Sequence, residues 1–219
     1  MKEQHLHIFG PHRSGTNFLE RIINMNYYTR ILNPNQNFNE VWKHSCIGGH
    51  KVNDNNPIIV IYKSIYMWLE SVLIRRPDLG YHFMQALHNL DKDKYNQVMG
   101  RKCKYYFING NISLSAVVEA YVNFYEQFLK CGKEVTFIKY EDLLYEDSLE
   151  RILTTLNKTL PRKPVKVKIP SSVSQSPFYT DESTHYYREG KPDFLNSECL
   201  KIVDDIVGSR LEELYNKKI

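Results

Sequence analysis

The chain of 219 residues carries a formal net charge of +4, and 42% of its residues are hydrophobic. This is enough apolar material for the core of one domain over residues 1–219, and the modest charge argues against a nucleic-acid partner, which usually needs a denser basic stripe. No apolar stretch approaches the ~18 residues of a membrane span, no signal peptide is evident, and the cysteines form no C-x-x-C pair. We therefore expect a cytoplasmic protein with reduced thiols, no membrane association and no metal site.

The first predicted elements are a strand, a glycine loop and a helix. Residues 4–9 (QHLHIF) alternate in polarity and run into the loop GPHRSGTN, in which Gly10 and Gly15 are separated by four residues. The segment FLERIINMNY that follows has apolar residues at helical spacing. A strand, a glycine loop and a helix in this order form the front of a βαβ unit.

The later segments continue this alternation of strands and helices. Residues 58–62 (IIVIY) form a continuous apolar run, which is typical of a strand buried on both faces. The other predicted elements are helices over residues 65–73 and 113–129, a strand over 135–140, a helix through 149–156 capped by Asp142 or Ser148, a loop over 161–192 and a final helix over 199–215.

Strands that alternate with helices predict an α/β fold, with three α/β/α layers around a central, mostly parallel sheet. Ligands of such sheets bind at the carboxyl ends of the strands. The predicted strand ends lead into the glycine loop of residues 10–16, Lys63 and Tyr140. This convergence of glycine-rich, basic and polar positions indicates an anion-binding site.

The glycine loop has features of a phosphate-binding loop. Gly10 and Gly15 allow a tight turn and a close approach of the backbone to a ligand, and the amides of residues 13–17 precede a helix, where they face an anion. Arg13 adds a guanidinium group that suits phosphate or sulfate oxygens. The lysine that an ATP-binding loop needs after its second glycine is replaced by Thr16. On spacing alone, a simple turn with a surface arginine remains open.

Two further segments are candidates for ligand binding, the first as a second phosphate subsite and the second as a loop that folds over the ligand. Lys63 follows a predicted buried strand and Ser71 lies eight residues later in a predicted helix. Arg188, Gly190 and Lys191 belong to a later segment, YYREGKPDF. Each feature alone is also compatible with a solvated strand end, a surface serine or an ordinary turn.

Taken in order, these motifs resemble those of the sulfotransferases that use 3′-phosphoadenosine 5′-phosphosulfate (PAPS). PHRSGT, residues 11–16, resembles the loop that binds the 5′-phosphosulfate end. Lys63 and Ser71 match the spacing of the motif for the 3′-phosphate, with lysine where arginine is commoner, and YEDL and REG resemble two later motifs. The resemblance covers residues 9–194. It implies that the cofactor-binding residues are Arg13, Ser14, Gly15, Thr16, Asn17, Lys63, Ser71, Tyr140, Arg188 and Gly190.

The resemblance implies transfer of a sulfuryl group to a hydroxyl acceptor, either a phenolic small molecule or a carbohydrate, with adenosine 3′,5′-bisphosphate as the product. It also accounts for the missing lysine, because the phosphosulfate carries fewer charges than a triphosphate, and Arg13 with backbone amides suffices without a metal. A P-loop nucleotide or nucleoside kinase and a non-catalytic binder of the same nucleotide are the alternatives.

The general base is predicted to lie in NEVWKHSCIGGHKV, residues 39–52. A base for a hydroxyl proton is usually a histidine or a carboxylate, and a histidine titrates near neutral pH without special tuning. By the resemblance, His44 is the base and Lys43 stabilises charge on the leaving oxygen, with His50 and Glu40 as alternatives. The aromatic residues of the segment 76–110 fall where the family places acceptor contacts, although core packing is the better explanation for any one of them.

Overall fold

The structure is a computed structural model that describes residues 3–32, 44, 55–71, 114–164, 167 and 197–216. Its strands form one four-stranded sheet in the order β2-β1-β3-β4, and every neighbouring pair is parallel. The predicted α/β fold class is therefore confirmed. The strands are β1 (Gln4–Phe9), β2 (Thr29–Ile31), β3 (Ile58–Tyr62) and β4 (Val135–Lys139).

The described part of the chain also contains α-helices and two short 3-10 turns. A 3-10 turn, Glu141–Leu144, follows β4, and another, Gly208–Leu211, lies between the last two helices. The α-helices are α1 (Thr16–Asn26), α2 (Ile65–Glu70), α3 (Leu114–Leu129), α4 (Glu146–Leu156), α5 (Ser197–Val207) and α6 (Glu212–Asn216). None of these described helices has the length and apolar character needed to cross a membrane.

The element bounds agree with the sequence predictions at most places and differ at a few. β2 was not predicted, because three residues are too few to show an alternating pattern. The single helix predicted over 199–215 is interrupted by the 3-10 turn that begins at Gly208, where φ is +32°. α4 has no side-chain cap, so Asp142 and Ser148 do not cap it; Glu146 and Asp147 instead place negative charge in its first turn.

The side chains of β3 divide between two apolar clusters, as expected for a strand that is buried along its whole length. Ile58, Val60 and Tyr62 belong to a cluster that contains residues of α3 and α5. Ile59 and Ile61 belong to a second cluster, which contains residues of α1 and α4. The continuous apolar run that predicted this strand therefore reflects contacts on both of its sides.

The parallel sheet brings the predicted strand ends to one edge. β1 ends at Phe9, β3 at Tyr62 and β4 at Lys139, so the residues after them leave the sheet on the same side. The backbone N–H of Tyr140 donates to the carbonyl of Tyr62 at 2.7 Å, which keeps these two strand ends together. The glycine loop, Lys63 and Tyr140 therefore lie near one another.

Candidate functional site

The glycine loop requires both of its glycines because other atoms fill the space that a side chain would need. A Cβ atom on Gly10 would lie 2.4 Å from Ser14 Oγ and 2.8 Å from the carbonyl oxygen of Ile61. Gly15 has a φ of +99°, and a Cβ there would lie 2.2 Å from the ring of Tyr140. The predicted tight turn is present, and protein atoms closely approach both glycines; the approach to a ligand stays a prediction.

Backbone conformation shapes the rest of the loop. Arg13 has a φ of +70°, the left-handed region that non-glycine residues seldom occupy. The amide of Ser14 donates to the carbonyl of Pro11 at 3.1 Å, so it does not belong to the group of anion-facing amides that the sequence predicted. Helix α1 begins directly after Gly15, so the amides of Thr16 and Asn17 lie in its first turn, at the positive end of the helix dipole.

Ser14 brings a hydroxyl group into the interior of the loop. The residue is fully buried, and no described residue forms a hydrogen bond with its Oγ atom. A buried hydroxyl without a partner is unfavourable, and buried polar groups in proteins are normally satisfied. Because protein atoms enclose the Ser14 Oγ atom, its phosphate-binding role stays a prediction.

Lys63, Ser71 and Tyr140 form one side-chain cluster. Lys63 is only 3% exposed, and its Nζ donates to Ser71 Oγ at 3.4 Å. The same Nζ lies 4.3 Å from the centre of the Tyr140 ring, a cation–π distance. Because Gly15 approaches the same ring, Tyr140 lies between the glycine loop and Lys63. The structure thus brings together residues from three of the predicted motifs.

His44 lies at the glycine loop, and it is 5% exposed. Its Nδ1 atom is 2.6 Å from the carbonyl oxygen of Gly10, and its ring stacks on that of His12 with the centres 3.9 Å apart. Since a carbonyl oxygen only accepts hydrogen bonds, Nδ1 carries a proton, and in the neutral ring Nε2 is the nitrogen with a lone pair. In this tautomer, Nε2 is the ring nitrogen that is able to accept a proton.

Sequence reasoning missed the side chains that hold the junction between β3 and α2. The hydroxyl of Tyr121 donates to the carbonyl of Lys63, and that of Tyr125 donates to the carbonyl of Ile61 at 3.2 Å. Glu141 Oε1 accepts from the backbone N–H of Ser64 at 2.8 Å. In the sequence, these residues appear only as a pair of tyrosines one helical turn apart and as the glutamate of YEDL. Neither pattern indicates which backbone group the side chain contacts.

Burial keeps these tyrosines protonated. It raises the pKa of both Tyr121 and Tyr125 well above the ordinary value of 10.0, with smaller contributions from Tyr215 and Glu141 nearby. Their hydroxyl groups therefore remain hydrogen-bond donors to a higher pH than the hydroxyl group of an exposed tyrosine does.

Several predicted site residues lie outside the described residues: Lys43, Arg188 and Gly190, the alternative bases Glu40 and His50, and the aromatic residues of the segment 76–110. Their roles remain predictions. Within the described ranges, no group of three or more histidine, cysteine or acidic side chains is arranged to hold a metal ion.

In comparisons with protein-family models, curated proteins and solved structures, this chain matches none of them. The functional interpretation therefore depends on the residues themselves and on their arrangement at the strand ends.

Proposed function

We propose that this protein is a PAPS-dependent sulfotransferase, which moves a sulfuryl group to a hydroxyl acceptor and releases adenosine 3′,5′-bisphosphate. The observation that carries the proposal is the meeting of separate motifs at one sheet edge. Gly15 of the loop packs against the ring of Tyr140, and Lys63 Nζ lies 4.3 Å from the centre of that same ring. A loop for one anionic group and a buried cation for another suit a nucleotide with phosphates at two ends.

The proposal includes the finer features of the fold. The glycine loop is P-loop-like, since it joins a parallel strand to the start of a helix. The alternation of β3 side chains between two apolar clusters supports a sheet covered by helices on both faces, and thus three α/β/α layers over a single domain of residues 1–219.

Different residues are proposed to bind the two ends of the nucleotide. At the 5′-phosphosulfate end, the Arg13 guanidinium, the buried Ser14 hydroxyl and the first amides of α1, from Thr16 and Asn17, provide donors. At the 3′-phosphate end, the Lys63 ammonium and the Ser71 hydroxyl form a pair 3.4 Å apart. By the resemblance, Arg188 and Gly190 complete this end. PAPS supplies the activated sulfuryl group, and no metal is required because these groups neutralise its charge.

His44 is the proposed base for the acceptor hydroxyl. Its Nδ1 proton is donated to the Gly10 carbonyl, so Nε2 receives the proton that the hydroxyl loses. The Gly10 carbonyl thereby fixes the tautomer and the orientation of the ring. Lys43 is proposed to stabilise charge on the leaving oxygen, and the acceptor is a phenolic small molecule or a carbohydrate in the cytoplasm.

Binding calorimetry without metal tests the nucleotide part of the proposal. We expect adenosine 3′,5′-bisphosphate to bind more tightly than ADP, because only the former carries the 3′-phosphate that Lys63 and Ser71 are expected to hold. Equal affinities, or a requirement for Mg²⁺, would instead favour a P-loop kinase and refute the proposal.

Transfer from PAPS to a panel of phenols and sugars tests the catalytic part. His44→Asn retains an N–H donor for the Gly10 carbonyl but lacks the basic nitrogen, so we expect transfer to fall by about 10²- to 10⁴-fold while bisphosphate binding is retained. His5→Ala, at the exposed opposite end of β1, is the matched control and should leave transfer unchanged. Tight bisphosphate binding without transfer to any acceptor would identify a non-catalytic binder.

A further inference from the structure

The peptide group between Lys63 and Ser64 is held from both sides by buried side chains. Its carbonyl oxygen, on Lys63, accepts the Tyr121 hydroxyl, and its N–H, on Ser64, is donated to Glu141 Oε1 at 2.8 Å. One peptide plane is therefore fixed at both of its polar atoms. Two such contacts restrict the torsions on either side of the plane, which are ψ of Lys63 and φ of Ser64.

The orientation of this peptide affects both members of the Lys63–Ser71 pair. A change in ψ of Lys63 or φ of Ser64 that is not compensated elsewhere redirects the chain that follows, and so moves α2 and Ser71 relative to the Lys63 side chain. Ser64 is also the residue that precedes the first turn of α2, the helix that leads to Ser71. A change at this one peptide therefore alters the 3.4 Å contact between Lys63 Nζ and Ser71 Oγ.

Glu141 is an energetically unfavourable residue at this buried position if its only role is packing. It is 7% exposed, its Oε1 accepts the Ser64 N–H, and its Oε2 forms no hydrogen bond with any described residue. Burial of a carboxylate with incomplete hydrogen bonding is unfavourable. The Glu141 contact is made to the peptide that carries Lys63, which indicates a role in the site.

We propose that Tyr121 and Glu141 are positioning residues that act through Lys63 to determine how strongly the protein selects a nucleotide with a 3′-phosphate. This inference rests on the proposed function. Neither side chain needs to touch the nucleotide. Their effect is on the location of the Lys63 ammonium and the Ser71 hydroxyl, and thus on one end of the ligand.

The test compares adenosine 3′,5′-bisphosphate with AMP, which lacks the 3′-phosphate, by calorimetry on the full chain. We expect Tyr121→Phe and Glu141→Leu each to weaken bisphosphate binding by about 3- to 10-fold, the range for loss of one hydrogen bond, with little change for AMP. Glu141→Gln keeps an oxygen acceptor for the Ser64 N–H and should restore most of the selectivity.

Tyr125→Phe is the matched control, since Tyr125 lies one turn further along α3 and donates to Ile61, which precedes the junction. Its nucleotide selectivity should equal that of the wild type, even if its melting temperature falls. If Glu141→Leu does not fold, Tyr121→Phe and Glu141→Gln still provide the test.

The outcomes separate this inference from the proposed function. Wild-type protein that binds the bisphosphate and AMP equally refutes the proposed function, and this inference with it. Wild-type preference for the bisphosphate that persists unchanged in Tyr121→Phe and Glu141→Leu refutes this inference alone. An equal loss of affinity for both nucleotides also refutes it, because a general structural role produces that result.

Discussion

The two ends of the candidate site are built by different means. The glycine loop keeps its shape through backbone geometry, with a φ of +99° at Gly15 and +70° at Arg13 and no room for a Cβ at either glycine. The Lys63 junction keeps its shape through side chains that arrive from α3 and from the end of β4. The loop is therefore sensitive to added atoms, whereas the junction is sensitive to atoms removed.

The largest expected effect comes from one added methyl group in the loop. Gly15→Ala imposes a left-handed φ on alanine, at about 1–2 kcal/mol, and overlaps the Tyr140 ring, at about 1–3 kcal/mol more in the free energy of unfolding. Gly132→Ala is the matched control, because Gly132 has a φ of +69° but no atom of the described residues lies within 4 Å of its added Cβ. Urea denaturation measures both, and equal losses would show that the Tyr140 contact is unimportant.

At the junction, loss of a cation should affect one nucleotide selectively. Charge-assisted contacts to phosphate contribute about 1.5–3 kcal/mol. We therefore expect Lys63→Ala to weaken the binding of adenosine 3′,5′-bisphosphate by about 10- to 100-fold, and the binding of AMP much less. Lys133→Ala removes the same charge from an exposed position before β4 and controls for net charge. Calorimetry that shows the same loss for both nucleotides would mean that Lys63 does not recognise the 3′-phosphate.

Alkaline pH should distinguish the junction from the loop, because residues 10–16 contain no tyrosine. The pKa of Tyr121 is raised by burial above the ordinary value of 10.0, so the unfolded chain loses this proton first as the pH rises. Stability from this group is complete below about pH 10 and declines above it, by up to about 1.4 kcal/mol per pH unit. We expect the free energy of unfolding, measured by urea denaturation between about pH 9 and 11, to fall less steeply with pH in Tyr121→Phe than in the wild type. An equally steep fall in both proteins would contradict this expectation.

The smallest effect concerns Arg13, where two substitutions remove the same charge. Arg13→Gly relieves the left-handed strain and Arg13→Ala does not, so the glycine variant should be more stable by about 1 kcal/mol. Both variants should bind adenosine 3′,5′-bisphosphate with the same reduced affinity. A difference in affinity that follows the difference in stability would show that Arg13 acts through loop conformation.

Local patterns predicted the sheet better than they predicted the site. The buried run of residues 58–62 and the alternation of residues 4–9 gave the bounds of β3 and β1, since periodicity is a property of neighbouring residues. The glycines predicted the loop for the same reason. The break in the last helix at Gly208 was missed, because a single glycine within an amphipathic pattern is compatible with a continuous helix.

Contacts between distant residues could not be predicted in this way. Tyr121 and Lys63 are 58 positions apart, and Ser64 and Glu141 are 77 apart, so no local pattern links them. Gly15 shows the same limit within a predicted motif. Its spacing predicted a tight turn but gave no indication that the ring of Tyr140 lies against it, a contact that depends on the position of β4 beside β3.

Trp68 gives the molecule an internal optical reporter. Its indole N–H is donated to the carbonyl of His12 at 2.8 Å, so the ring connects α2 to the glycine loop. The chain has two tryptophans, and Trp42→Phe leaves Trp68 as the single source of indole fluorescence. Because the emission of a buried indole depends on its hydrogen bond and its surroundings, we expect occupancy of the loop to change the intensity or wavelength of that emission, which allows binding to be followed in real time without a label.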